Sequence, residues 1–143
     1  MERTTAMINP KYYLNQYRQN MNEIKDLDVE IEQLESHLLS VTAPTDKEPV
    51  MGGKGKDMAG SIAKIADMQN EVKAMRIEAV EQMHEIETVL AQIENKDYVH
   101  ILRLRYIHCL TFEKIAVETN YSYRWICVLH GRALQEVSKI ING

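Results

Sequence analysis

From Pro10 onward, apolar residues recur every three or four positions. Tyr13, Tyr17, Met21, Ile24, Leu27, Ile31, Leu34, Leu38 and Val41 form one stripe, which predicts an amphipathic helix over residues 10–41. Glu23, Asp26, Asp28, Glu30, Glu32 and Glu35 lie between them, so its outer face is acidic. Over residues 42–60 the period is lost among Pro44, Pro49, Gly52, Gly53, Gly55 and Gly60, a composition that predicts a flexible loop. The period returns at Ser61, a candidate N-cap, and runs to about Asn95. Its stripe is Ile62, Ile65, Gln69, Val72, Arg76, Ala79, Met83, Ile86, Leu90 and Ile93. Gln69 and Arg76 interrupt that seam and weaken it. Two such helices can fold back as an antiparallel hairpin or pair with another chain, and the pattern leaves both open. Homo-oligomerisation through the long helices, as a dimer, is the expectation.

Past Asn95-Lys96-Asp97 the elements shorten. Asp97 is placed to cap a helix over residues 98–108, with Tyr98, Ile101, Leu102 and Arg105 at helical spacing. Thr111 can cap a second helix carrying Phe112, Ile115 and Ala116, and Ser122 a third that runs to about Ile141. The spacing within residues 112–131 is that of a helix-turn-helix. Ala116 supplies the small residue where two helices cross, and Asn120 supplies a left-handed turn, for which Asn is second only to Gly. Ile126 packs back into the core, with Tyr121 and Leu129 completing the buried set. The fold class is therefore all-α, with an acidic helical oligomerisation region over 1–97 and a helix-turn-helix domain over 98–143.

That registration points Ser122, Tyr123, Arg124, Cys127 and Val128 away from the core, on the face that would enter a major groove. Arg124 can bond guanine O6 and N7 together, and Tyr123 can meet a phosphate or a thymine methyl. Arg132 and Lys139 lie further along the same helix, where cations meet phosphates that position without specifying. Arg103, Arg105 and Lys114 are candidates for further backbone contacts. Trp125 reads as a partly buried packing residue.

Charge sharpens this picture. Residues 1–97 hold 11 Lys/Arg against 18 Asp/Glu, and residues 98–143 hold 6 against 3. Only the C-terminal third can comfortably approach the phosphates of double-stranded DNA. Cys109 and Cys127, without metal-ligand spacing, fit a reducing compartment. With no secretory pattern and no apolar run near the ~20 residues a bilayer needs, a cytoplasmic protein without membrane contact is expected. Gly52-Gly53-Lys54-Gly55-Lys56 fails as a phosphate loop, because Asp57 replaces the Ser/Thr and no strand precedes it. His37, His84, His100, His108 and His130 form no metal-ligand grouping, and no nucleophile–base set can be assembled. Neither catalysis nor a cofactor is expected.

The segments Leu102–Tyr106, Leu110–Ala116, Tyr121–Ile126 and His130–Leu134 resemble region four of sigma factors. They are closer still to the ArpU/RinA-like phage regulators. Cys109 and Asn120 stand where such sequences often have Gly, and the positions of Cys127 and Val128 are usually longer and more polar. The resemblance implies DNA contacts at Tyr123, Arg124, Cys127 and Val128. It also implies activation of late structural and packaging genes, with a contact to host RNA polymerase. A second reading is a small terminase subunit, which combines a helix-turn-helix with long oligomerising helices to recognise phage DNA for packaging.

Overall fold

The computed structural model describes residues 7–42 and 54–143. Among them all regular structure is helical, which establishes the all-α class. The elements are α1 (Pro10–Thr42), α2 (Lys54–Leu90), α3 (Lys96–Leu102), α4 (Phe112–Thr119) and α5 (Tyr123–Asn142). A π-helical turn, Arg103–Ile107, continues α3.

α1 begins where local chemistry starts it. Pro10 needs no amide partner at the first position, and the Asn9 side chain accepts from the amides of Lys11 at 2.9 Å and Tyr12 at 3.3 Å. Its buried residues include Leu14, Tyr17, Ile24 and Ile31, so the stripe read from the sequence holds, with Leu14 rather than Tyr13 at its first turn.

The second long helix departs from expectation at both ends. α2 starts at Lys54, so Ser61 lies inside it and is not its cap, and residues 54–60 are helical rather than loop. A glycine inside a helix costs about 1 kcal/mol, which weakens the helix without ending it, and no proline follows Pro49. The remainder of the expected loop, residues 43–53, lies outside the described residues. At the other end α2 stops at Leu90 instead of Asn95. The Gln92 and Ile93 amides donate to Val89 and Leu90 in tighter three-residue turns.

The compact units divide the chain at 20/21 and 78/79, whereas the sequence pattern breaks near residue 97. The unit over Met21–Glu78 is an antiparallel pair made from one half of each long helix. Arg76 meets Asp28 at 2.6 Å, and the Gln69 amide donates to Glu35 at 3.2 Å. As the α2 number rises the α1 partner number falls, so the helices run in opposite directions within one chain. Ile65, Met68 and Val72 are buried on α2, with Ile24 and Ile31 on α1. The seam thus uses Met68 where the sequence reading used Gln69. Gln69 and Arg76 are exposed and flank it with polar contacts instead of breaking it.

The other unit joins residues up to Asn20 with Ala79–Gly143. Its core brings together Ile101 of α3, Leu104 of the π-helical turn, Ile115 of α4, and Ile126 and Leu129 of α5. Tyr98, Leu110, Phe112 and Ala116 pack against them. Burying each large aliphatic side chain contributes about 1.5–3 kcal/mol, so this cluster fixes the geometry of the short helices. Leu14, Leu90 and Val137 are also fully buried. The Asn142 side chain ties the last turn of α5 to the start of α1. Its oxygen accepts from the Ile8 amide at 2.8 Å, and its nitrogen donates to the Ile8 carbonyl at 2.9 Å.

Candidate nucleic-acid interface

The surface of interest starts from three short-range devices. α3 is capped by Asn95, not Asp97. The Asn95 side chain accepts from the Asp97 and Tyr98 amides, and Asp97 supplies the negative charge that a first helical turn favours. Thr111 caps α4 by accepting from the Lys114 amide at 3.2 Å. Ser122 caps α5 by accepting from the Trp125 amide at 3.1 Å. Between α4 and α5 the chain reverses through Asn120, whose φ of 59° is left-handed. The only other non-glycine residue with positive φ among those described is Cys109, also at 59°, at the end of the π-helical turn. Both are positions that glycine fills most easily.

This turn sets the rotation of α5. Ile126, Leu129, His130, Ala133 and Val137 face inward, at the spacing of one helical stripe. Ser122, Tyr123, Arg124, Cys127 and Val128 are all exposed on the other side, as the sequence spacing required. Tyr121 differs from expectation. It is 40% exposed, because the left-handed residue before it redirects the chain and its amide is held by the Thr119 hydroxyl at 3.4 Å.

The cations divide into engaged and free. Arg124 and Lys114 are exposed. Arg132 places its guanidinium 5.5 Å from the centre of the half-exposed Trp125 ring, a cation–π arrangement on the outer face of α5. Lys139 makes an exposed contact with Glu136 at 3.2 Å, a pair of little energetic consequence. Arg103 is drawn to Glu87 of α2 at 2.7 Å, so binding a phosphate would require it to give up that partner. Arg105 donates to the Leu110 carbonyl at 3.0 Å and stacks over the Phe112 ring at 4.4 Å. Phe112 in turn meets Tyr123 edge-on at 6.4 Å. Cys127 and Glu113 push the Tyr123 phenol up, which keeps its proton available as a donor.

Under α5 lies a buried polar pair that the sequence did not reveal. Tyr106 and His130 Nε2 are 2.6 Å apart, and the Phe112 ring meets the imidazole edge-on at 4.9 Å. Burial pushes the Tyr106 phenol up to about 12. Burial, with help from Arg105 and Lys11, pushes His130 down to about 4. The phenol therefore keeps its proton and donates it to Nε2, an assignment drawn from the network. A neutral histidine satisfied in this way is a structural strut of α5.

Among the described residues no three His, Cys, Asp or Glu side chains gather as metal ligands, and no helix is long and apolar enough to cross a membrane. The sequence of residues 38–138 matches a family described as "Protein of unknown function (DUF1492)", and the chain belongs to that family. No curated protein and no solved structure matches it.

Proposed function

We propose that this member of the DUF1492 family is a sequence-specific regulator that binds double-stranded DNA by placing α5 in the major groove. One observation carries the reading. The left-handed turn at Asn120 and the Ser122 cap present Tyr123, Arg124, Cys127 and Val128 together on the exposed side of a helix whose other side is locked into a core. A helix held in this way offers side chains at a groove with little further loss of conformational freedom. The local excess of cations over residues 98–143 supplies the attraction to phosphate. The resemblance to sigma region four and to the ArpU/RinA-like regulators extends the proposal to activation of phage late genes, with polymerase as a second partner.

Selection of duplexes from a randomised pool by the full chain, at near-physiological salt, tests the reading. The expected result is an enriched motif. Arg124→Ala should then relax preference at one position by about 1–3 kcal/mol, while Lys139→Ala weakens all sequences alike. A pool without enrichment, together with binding that vanishes as salt rises, would overturn specific recognition. Sedimentation of the same protein separates the regulator, as monomer or dimer, from a terminase-like closed ring.

A further inference from the structure

The exposed side of α5 carries an apolar residue framed by cations. Arg124, Val128 and Arg132 follow one another at intervals of four residues, so they share one row along the helix, about 6 Å of rise apart. All three are exposed, Val128 at 37%. The core takes its apolar side chains from the other side of the helix, at Ile126, Leu129, Ala133 and Val137. Arg132 is drawn to the flank of the row, where its guanidinium lies 5.5 Å from the Trp125 ring centre. The next residue of the row, Glu136, is paired with Lys139 at 3.2 Å. Between the two arginines, Val128 therefore stands open to whatever meets this face.

A valine with an arginine one turn away on either side fits a polyanion that presents an isolated apolar group. Duplex DNA presents such a group in its major groove only at thymine, whose 5-methyl projects among hydrogen-bond donors and acceptors. Valine has no donor or acceptor, so of all the groups on the base edges it can match only that methyl. Branching at Cβ fixes its χ1 in a helix. Its two methyl groups are therefore in place before contact, and little freedom is lost when they are covered. The spacing limits where the thymine lies. A base pair rises about 3.4 Å, so the ~6 Å from Arg124 to Val128 covers at most about two base-pair steps.

We infer that Val128 reads the 5-methyl group of a thymine within about two base pairs of the guanine bonded by Arg124. The inference rests on the DNA-binding reading and gives its site a chemical content, a guanine and a thymine at a fixed short offset. Val128 then discriminates by a single methyl group, whereas Arg124 discriminates by hydrogen bonds, and the two act on different base pairs.

Fluorescence anisotropy of the full chain on the duplex enriched from the randomised pool tests it. Each thymine is replaced singly by deoxyuridine, which removes the methyl and leaves the base pair unchanged. At one thymine, close to the guanine whose preference Arg124→Ala relaxes, the wild type should lose about 4-fold in affinity, the worth of one buried methyl. Val128→Ala should bind the thymine duplex more weakly, lose the difference between thymine and deoxyuridine, and keep its preference for the guanine. Val128→Ile keeps the apolar contact and should keep the difference. Alanine is the better helix former at an exposed position, so the melting midpoint of Val128→Ala should equal or exceed that of wild type. An enriched duplex with no thymine sensitive to deoxyuridine would overturn the inference and leave specific DNA binding intact. The same holds if Val128→Ala retains the full difference. A pool without any enriched duplex would overturn specific recognition and this inference together. A lowered melting midpoint in Val128→Ala, with affinity falling alike on both duplexes, would assign Val128 to packing and also overturn it.

Discussion

His130 makes the unit that carries α5 sensitive to acid, and the size of the effect follows from its surroundings. In the unfolded chain its imidazole titrates near 6.5; in the fold it titrates near 4. Above pH 6.5 both states hold it neutral, and it contributes no pH dependence. Between 6.5 and 4 the unfolded chain takes up a proton that the folded chain refuses, so stability falls as pH falls. Below 4 both states are protonated and the loss is complete. With 1.36 kcal/mol for each unit, the loss is about 2 kcal/mol at pH 5 and about 3 kcal/mol in the limit. That is a large part of the stability of a small domain. Urea unfolding at pH 7, 6, 5 and 4.5 measures it, provided that His130→Gln is followed in parallel. The carboxylates contribute to both curves and cancel in their difference. His130→Gln can still accept from Tyr106, and whatever packing it loses at pH 7 does not depend on pH. The difference between the two proteins should narrow by about 2 kcal/mol between pH 7 and 5. Parallel curves, or an imidazole proton resonance that titrates near 6.5 in the folded protein, would refute the buried neutral pair.

Two packing predictions accompany it. Ile126→Ala, at a residue with no solvent exposure, should cost 2–5 kcal/mol in urea unfolding, and a loss below about 1 kcal/mol would place it outside the core. Asn120→Val puts a β-branched residue at a left-handed φ and should cost at least 1–2 kcal/mol by the same measurement, whereas Asn120→Gly should stay within about 1 kcal/mol of wild type.

Local chemistry was legible in the sequence wherever one residue decides one backbone bond. The Thr111 and Ser122 caps, the turn at Asn120 and the inward stripe Ile126–Leu129 depend on neighbours within about four positions, and they stand where the spacing put them. The seam of α2 was not legible. At Met68-Gln69 and Met75-Arg76 an apolar residue sits beside a polar one, so two helical registers one residue apart fit the pattern equally well. Only the partner helix, which offers Glu35 and Asp28, decides between them. Gly55 and Gly60, which lie inside α2, misled for a different reason. They lower helix propensity by about 1 kcal/mol each, and tertiary packing along a long helix exceeds that. At the candidate site, the exposed residues of α5 followed from periodicity. The engagement of Arg103 by Glu87 and the cover of Phe112 by Arg105 each join residues on different elements, and no helical periodicity encodes them.

The two hydrogen bonds between Ile8 and Asn142 span a sequence separation of 134 residues. During synthesis the helix pair over Met21–Glu78 is available complete while the last helix has yet to be made. The unit that carries α5 has one segment, the part up to Asn20, translated first and the rest last. Assembly is therefore ordered in time, with a local hairpin able to form early and a discontinuous core that closes only when α5 arrives. Forming the hairpin first also shortens the span that must be closed, because the ends of two paired antiparallel helices are already held near each other. A destabilised hairpin would then slow the maturation of α5 without touching any residue of it.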